Sequence, residues 1–217
     1  MKINKIKIIF FDMDGVLVLS EKQHFEAWLK VLNQHKLPTD WMDFNQWIGV
    51  SDTMNAKMII EKFDLDVGID ELHHLKRQIF IDKISTDFEQ HLGRDNFLNK
   101  VSQHVQVALV SSASQIEIEK ILQIEKISHH FSFKIGNEDV SHHKPHPMPY
   151  LKALEQSNHL KQHALVIEDS ASGIQAAKAA GLPVVGLRTS ATLPQGITDS
   201  VNFFDDFVDL DKWLFAT

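Results

Sequence analysis

Two aspartates lie one residue apart, directly after a short apolar run near the start of the chain. The run Ile8–Phe11 is followed by Asp12 and Asp14, and Gly15 comes next. Four consecutive large apolar residues predict a strand buried on both faces, as in a parallel sheet. Carboxylates beside such a strand cost free energy unless a cation or hydrogen bonds compensate them. Because open α/β sheets bind ligands at the carboxyl ends of their strands, this pair is a candidate catalytic or metal site. Loop or helix-cap aspartates are the alternative.

A second and a third cluster carry groups that suit an anion. Residues 107–110 form another apolar run, which ends in Ser111 and Ser112. A hydroxyl group and free amides at a strand-to-helix turn are suited to hold a phosphate, although serines there also cap helices. Lys144 precedes Pro145, which keeps the lysine backbone extended. Its charge would then balance a phosphate or several carboxylates, whereas an ordinary loop lysine would be solvated.

A fourth cluster adds further acids. The apolar residues 165–167 run into Glu168 and Asp169, and an alanine-rich helical pattern follows. Asp169 alone would be explained as the cap of that helix. If it shares a sheet with Asp12 and Asp14, however, it completes a set of oxygen ligands of the kind that Mg²⁺ prefers.

The composition narrows the functional class. The chain has 217 residues, enough for one domain or for one domain with an insertion. Its formal net charge of −7 disfavours general binding of nucleic acid or of anionic membranes. It contains no cysteine, which excludes disulfides, thiolate metal sites and cysteine nucleophiles. No signal peptide or membrane span is evident, so a soluble, cytoplasmic protein is expected. A monomer is expected as well.

Hydrophobic patterning predicts an α/β fold with a mostly parallel sheet. Strands are predicted at residues 7–12, 105–111, 131–135, 164–168, 183–187 and 200–204. From residue 95 onward they alternate with helical patterns, as in right-handed β–α–β units. Residues from about 20 to 90 show amphipathic helical spacing only. We therefore expect an α/β domain of residues 1–17 and 91–217, interrupted by an all-helical domain at 18–90.

The order of the four clusters resembles the haloacid dehalogenase superfamily. The sequence DMDGVL at Asp12–Leu17 matches the first motif of that superfamily, and Ser111 and Lys144 match the second and third. The pair Glu168 and Asp169 matches the fourth motif. The resemblance implies a Rossmann-like core, with the helical insertion as the small cap domain.

Two longer stretches narrow the resemblance to the β-phosphoglucomutase-like and phosphoglycolate phosphatase-like group. Residues 143–150 are similar to GKPxPxxY, with His143 in place of the glycine, and residues 168–181 match EDSxxGIxAAxxAG. Members of the superfamily that act on halogenated acids or phosphonates lack an acid at the position of Asp14. The resemblance therefore implies chemistry on a phosphate ester.

The resemblance also assigns roles to the core residues. It implies that Asp12 attacks phosphorus and becomes an aspartyl-phosphate. Asp14 would protonate the leaving oxygen and then activate water. The phosphoryl oxygens would be bound by Ser111, the amide of Ser112 and Lys144.

Mg²⁺ is the cofactor that the resemblance implies. Its ligands would be Asp12, the backbone carbonyl of Asp14 and Asp169, with Glu168 bound directly or through water. A cation is needed because an anionic nucleophile must approach an anionic phosphate.

Residues of the cap are expected to contact the leaving group and to set specificity. These candidates are His24, Gly49, Asp52, Lys76 and Arg77. In the mutase an arginine follows the Gly-Val-Ser sequence and binds the second phosphate of the substrate. Asp52 occupies that position here and would repel a second phosphate, unless Lys76 or Arg77 compensates it.

We therefore expect a Mg²⁺-dependent phosphatase of a small phosphorylated metabolite, with a sugar phosphate as the favoured substrate. A hexose-phosphate mutase of the β-phosphoglucomutase type is the alternative. A non-catalytic sensor of a phosphorylated ligand is a further alternative, which would not require the acid Asp14.

Overall fold

The computed structural model describes residues 2–47, 50, 52–84 and 88–216. The chain divides into two compact units. The core unit comprises Met1–Leu19 with Thr86–Thr217, and the cap unit comprises Ser20–Ser85. The cap unit thus begins two residues later and ends five residues earlier than the predicted insertion at 18–90.

Six strands and ten α-helices are present in the part of the chain that the structure describes. The strands are β1 (Ile8–Phe11), β2 (Gln106–Val110), β3 (Lys134–Ile135), β4 (Ala164–Glu168), β5 (Val184–Leu187) and β6 (Phe203–Phe204). The helices are α1 (Glu21–Gln34), α2 (Phe44–Trp47), α3 (Asp52–Phe63), α4 (Ile69–Lys83), α5 (Arg94–Val101), α6 (Gln115–Ile124), α7 (Met148–Ser157), α8 (Ala171–Ala179), α9 (Gln195–Thr198) and α10 (Phe207–Phe215). Short 3-10 turns lie at Ile3–Lys5, Ser128–His130, Asn137–Asp139 and Lys161–His163.

The strands of the core unit form one parallel sheet in the order β3-β2-β1-β4-β5-β6. This confirms the predicted α/β fold. β1 is central and pairs with β2 on one side and β4 on the other, with Phe11 in register with Leu109 and Ile167. The carboxyl ends of these three strands are therefore level. The polar residues that follow them are brought to one edge of the sheet.

The central strands form because both of their faces are covered. All four residues of β1 are fully buried. Ile8 and Phe10 belong to a buried cluster that includes Tyr150 of α7. On the other face, the ring of Phe11 contacts those of Phe97 and Phe207. A continuous apolar run is the pattern that burial on two faces requires.

Two predicted strands are shorter than expected. Residues 131–135 contribute only the pair Lys134–Ile135, and residues 200–204 contribute only Phe203–Phe204. Both lie at the edges of the sheet, where a strand pairs on one side alone. A short edge strand also presents few unpaired backbone groups to solvent.

The cap unit contains α1 to α4. Trp28, Val31 and Leu32 of α1 are buried, and α1 and α3 both pack against α4. Tryptophan and leucine at this helical spacing supply the apolar stripe that the cap needs for a core of its own. Within the residues described, no helix is both long enough and apolar enough to span a bilayer.

Candidate active site

Lys144 joins the carboxyl ends of the three central strands. Its Nζ lies 2.6 Å from Oδ1 of Asp12, 2.7 Å from Oε1 of Glu168 and 2.9 Å from the carbonyl oxygen of Val110. An ammonium group has three N–H donors, so these three acceptors use all of them. The side chain of Lys144 is only 3% exposed. The alternative that Lys144 is an ordinary solvated loop lysine is thus wrong.

Glu168 is buried and saturated with hydrogen bonds. Its Oε1 accepts from Lys144 and from the hydroxyl group of Tyr150 at 2.9 Å. Its Oε2 accepts from the amides of Asp169 and Ser170 and from Oγ of Ser170, at 2.9–3.1 Å. A carboxylate offers about four lone-pair sites, and these five donors occupy them. Glu168 therefore orients Lys144 and the loop after β4.

The loop that carries Asp14 requires a glycine at position 15. Gly15 has a φ of +80°, and a Cβ atom placed on it would lie 1.9 Å from Oδ2 of Asp169. The backbone of Gly15 thus lies directly against the Asp169 carboxylate. The Gly15 amide also donates to the carbonyl of Val18 at 2.7 Å, which closes the loop. Asp14, half-buried, is next to Gly15 in this loop.

Asp169 does not cap the helix that follows it. The N-cap of α8 is Ser170, whose Oγ accepts from the amide of Gly173 at 3.0 Å. Asp169 instead joins Asp12 and Glu168 in a buried group, in which one carboxylate oxygen from each residue lies within 4.8 Å of the others. The structure thus brings together the acids that follow β1 and β4.

Ser111 ends β2 beside the same edge of the sheet. Its side chain is buried, its amide donates to Ile135, and its Oγ accepts from the amide of Ala113 at 3.0 Å. The capping role belongs to Ser114, which forms a capping box with Glu117 at the start of α6. Ser111 is therefore not a cap of that helix, and the neighbouring Ser112 is exposed.

The buried charges perturb one another strongly. Burial, together with Glu168 and Asp14, outweighs Lys144 and raises the pKa of Asp12 to about 7. Burial also opposes ionisation of Glu168, but the charge of Lys144 and several hydrogen bonds lower the pKa of Glu168. Burial by itself would lower the pKa of Lys144, yet Asp12 and Glu168 raise it well above its ordinary value.

In this buried group the acids outnumber the cation. Lys144 supplies one positive charge, whereas Asp12, Glu168 and Asp169 supply three negative charges when ionised. Burial is the main cause of the raised pKa of Asp12, and the negative charges of Glu168 and Asp14 add to it. A divalent cation beside Asp12 and Asp169 would reverse it, because a bound ion is the largest charge in such a site. The donor set consists of oxygen atoms, which fits a hard cation such as Mg²⁺.

The cap unit contains a separate polar cluster around Asp52. Oδ2 of Asp52 lies 2.6 Å from Nζ of Lys76 and 3.4 Å from Nε2 of His73, and Oδ1 accepts from Trp28 at 2.9 Å. Lys76 also donates to Nδ1 of His24 at 2.5 Å, and its side chain is only 1% exposed. Asp52 is thus an ion-paired carboxylate, and its partner is Lys76.

The other two cap candidates are less informative. Arg77 lies on α4 next to Lys76 and is half-buried. Gly49 lies outside the described residues.

Tyr150 and His91 contact motif residues, and the sequence patterns assign neither of them a role. Tyr150, the single tyrosine of the chain, hydrogen-bonds Glu168. His91 hydrogen-bonds the carbonyl of Gly15 at 2.8 Å. A lone tyrosine six residues after Lys144 was a usable signal for the first contact. Nothing local marks the second, which joins positions far apart in the chain.

Comparisons with known proteins agree with this arrangement. The sequence model of the haloacid dehalogenase-like hydrolases matches residues 9–187. A phosphatase of phosphorylated carbohydrates from Thermotoga maritima is 29% identical over 181 residues, which cover 82% of this chain and 82% of the relative. The fructose-1-phosphate phosphatase YqaB from Escherichia coli is 27% identical, over 83% of this chain and 95% of the relative.

A solved structure shares the fold. CbbY from Rhodobacter sphaeroides, in complex with phosphate, is similar with a TM-score of 0.80 at 19% identity, over 94% of this chain and 96% of that chain. β-Phosphoglucomutase from Clostridium difficile has a TM-score of 0.74 at 23% identity, over 94% of this chain and 93% of that chain. The chain therefore belongs to the haloacid dehalogenase-like hydrolase family and is an enzyme of that family.

Proposed function

We propose that the protein is a Mg²⁺-dependent phosphatase that hydrolyses a small phosphorylated metabolite, with sugar phosphates as the substrate class. It is a phosphoric monoester hydrolase. The observation that carries the proposal is the position of Lys144, held between Asp12 and Glu168 beside the Asp169 carboxylate. Relatives named for the hydrolysis of phosphorylated carbohydrates and of fructose 1-phosphate support the substrate class.

The first chemical step is phosphoryl transfer to Asp12. A carboxylate oxygen of Asp12 attacks phosphorus, and the bond between phosphorus and the ester oxygen breaks. Protonated Asp14 donates its proton to the departing oxygen, which leaves as an alcohol. The products of this step are an aspartyl-phosphate on Asp12 and an ionised Asp14.

The second step returns the enzyme to its starting state. Asp14 takes a proton from a water molecule, whose oxygen attacks the phosphorus of the aspartyl-phosphate. The bond between phosphorus and the Asp12 oxygen breaks, so phosphate leaves, Asp12 regains its carboxylate and Asp14 is protonated again. One residue thus serves as acid and then as base.

Binding of the phosphoryl group requires a change of partners at Lys144. All three of its N–H donors are used by protein acceptors. A phosphoryl oxygen would therefore replace one of these acceptors. The hydroxyl group of Ser111 and the amide of Ser112 would bind the remaining oxygens.

Asp12, Asp169 and the backbone carbonyl of Asp14 would hold Mg²⁺. When bound, the ion supplies the positive charge that lets a carboxylate approach a phosphate dianion. The lone pairs of Glu168 are already used, so we propose that it supports the site through Lys144 and through the loop after β4.

The cluster around Asp52 favours a substrate with a single phosphate. We propose that cap residues contact the leaving group, as the resemblance implies. The charge of Lys76 is matched by Asp52, so the pair offers hydrogen bonds without a net charge. A pair without a net charge gives a second phosphate no free cation to bind, which favours a phosphatase over a mutase that must bind a bisphosphate.

The proposal is tested with purified protein and a panel of phosphorylated metabolites, with phosphate release as the readout. Turnover of a sugar monophosphate with Mg²⁺, and its loss in excess EDTA, is the expected result. Formation of glucose 6-phosphate from β-glucose 1-phosphate, without net phosphate release, would identify a mutase instead. Tight binding of a phosphorylated compound without either reaction would identify a sensor.

A further inference from the structure

Two side chains from the segment after the cap hold the loop that carries Asp14. Residues 12–18 are named here the Asp12 loop. Nε2 of His91 lies 2.8 Å from the carbonyl oxygen of Gly15, and Nη1 of Arg94 lies 2.8 Å from that of Leu17. Both contacts lie within the core unit and are buried.

The direction of the hydrogen bond between His91 and Gly15 is determined by its acceptor. A carbonyl oxygen only accepts, so Nε2 of His91 must carry the hydrogen. This donor is retained whether the imidazole is neutral or protonated. The ring packs edge-on against Phe207 with a centroid separation of 6.0 Å, which fixes its orientation.

Arg94 is itself held in place. Its Nη1 also donates to Glu125 at 2.6 Å, and Nε2 of Gln90 donates to the same carboxylate oxygen at 3.1 Å. The side chain of Arg94 is 1% exposed and that of Glu125 is 5% exposed. The segment 90–94 is therefore held in place by hydrogen bonds to Glu125, and it contacts the Asp12 loop through His91 and Arg94.

The two peptide groups that meet at Gly15 are both held: its N–H belongs to the peptide group of the Asp14 carbonyl, and its own carbonyl belongs to the next one. The amide of Gly15 donates to Val18, and the carbonyl of Gly15 accepts from His91. A trans peptide is planar, so fixing the N–H of Gly15 also directs the carbonyl of Asp14 to the opposite side. Gly15 is further confined by the Asp169 carboxylate, against which its Cα lies.

We propose that His91 is a positioning residue, which acts through the carbonyl of Gly15 to hold Asp14 in place for proton transfer. This inference rests on the proposed phosphatase function. The inference extends that function, because a contact from outside the four motifs would hold the proton donor Asp14 in position. A displacement of the order of 1 Å in a catalytic group can lower the rate by about 100-fold.

The test replaces His91 with Phe and, separately, with Gln. His91→Phe retains an aromatic ring against Phe207 and removes the donor. His91→Gln returns an N–H near the place of Nε2. His104→Phe is the matched control, since His104 also bonds a backbone carbonyl, at 2.9 Å, and packs edge-on against a phenylalanine at 5.3 Å.

Steady-state turnover of a sugar monophosphate and of an aryl phosphate supplies the first readout. We expect His91→Phe to lower kcat at least about tenfold with KM within about twofold of wild type. His91→Gln should recover most of that loss, and His104→Phe should match wild type. Unchanged kcat in His91→Phe would overturn the inference, as would an equal loss in the phenylalanine and glutamine variants.

Amide hydrogen exchange of peptides covering residues 12–19 supplies a readout that does not depend on activity. Removal of the His91 donor should accelerate exchange there by about fivefold or more, the factor expected from losing one net hydrogen bond. Wild-type exchange in His91→Phe would overturn the inference even if kcat fell. If wild type hydrolysed no phosphate, the proposed function would fail, while faster exchange would still support the hold of His91 on the loop.

Discussion

The hydroxyl group of Tyr150 donates a 2.9 Å hydrogen bond to Oε1 of Glu168, the same oxygen that accepts from Lys144. This contact links helix α7 to the charged edge of the sheet. Burial and the charge of Glu168 raise the pKa of Tyr150 well above its usual value, so its hydroxyl group remains a donor. Tyr150 therefore helps to fix the carboxylate that orients Lys144.

Tyr150→Phe should weaken both stability and activity. The ring is retained, so packing against Phe10 persists and only the donor is lost. Because the acceptor is a buried charged group, we expect unfolding to become easier by about 1.5–3 kcal/mol, measured by urea denaturation at pH 7. An unchanged free energy of unfolding would show that this hydrogen bond does not stabilise the folded state.

Asp12→Asn should abolish turnover while the fold persists. An amide cannot act as the nucleophile, so phosphate release should fall by at least about 10³-fold. Circular dichroism establishes that the variant is folded, and the hydrolysis assay measures its activity. One-tenth of wild-type activity in a folded Asp12→Asn sample would eliminate the aspartyl-phosphate mechanism.

The stability of the metal-free protein should depend on Asp12 in a defined direction. Its pKa is raised from 3.8 to about 7, chiefly by burial. The folded state therefore holds this proton at pH values where the unfolded state has released it. Stability from this residue is present below about pH 3.8 and is lost as pH rises towards about 7.

An asparagine does not titrate, so Asp12→Asn does not lose stability by ionisation at this position. Its free energy of unfolding should therefore exceed that of wild type by more at pH 8 than at pH 5. Chemical denaturation in EDTA measures this difference. Added Mg²⁺ should reduce it for wild type, because the cation stabilises the ionised carboxylate. An equal difference at the two pH values would mean that Asp12 titrates normally.

Asp169→Ala and Glu168→Ala should have different effects on the metal requirement. Loss of Asp169 removes a proposed ligand and should raise the Mg²⁺ concentration for half-maximal activity about 10-fold or more. Loss of Glu168 removes one acceptor of Lys144 and one of Ser170, so its main effect should be on stability. Titration of activity with Mg²⁺ compares the two variants, and equal midpoints in wild type and Asp169→Ala would remove Asp169 from the site.

Much of the core site was predictable because its signals are local. Asp12, Ser111 and Glu168 follow or end apolar runs, and parallel strands in register place their carboxyl ends together. The strand ending at Glu168 was predicted with the bounds that the structure shows. Phosphate chemistry followed from the family resemblance, in which an acid at the position of Asp14 implies a phosphate ester.

The contacts that were not predicted depend on packing between distant segments. His91 and Gly15 are 76 positions apart, and Asp52 and Lys76 are 24 positions apart on different helices. No periodicity specifies which side chains meet when two helices pack. The sequence therefore left open whether Lys76 or Arg77 compensates Asp52, and the structure shows Asp52 matched by the buried Lys76.

The pair of Asp52 and Lys76 leads to the final prediction. Asp52→Asn should destabilise the protein by about 3 kcal/mol at pH 7, because it leaves a buried ammonium group without its charged partner. Asp52→Asn with Lys76→Met should recover most of the loss. Glu61→Gln is the matched control, since its pair with Lys57 is exposed, and a change below about 0.5 kcal/mol is expected there.

The pH dependence and the substrate preference of Asp52→Asn follow from the same pair. Burial by itself would raise the pKa of Asp52, but Lys76, His73 and His24 lower it well below its usual range. The stability from Asp52 is thus present above about pH 3.8 and is lost below it, so the difference between variant and wild type should narrow in acid.

At neutral pH the uncompensated charge of Lys76 should lower KM for sugar bisphosphates, while hydrolysis of an aryl monophosphate stays unchanged. Equal KM values for bisphosphates in wild type and Asp52→Asn would show that this pair does not select the number of phosphates.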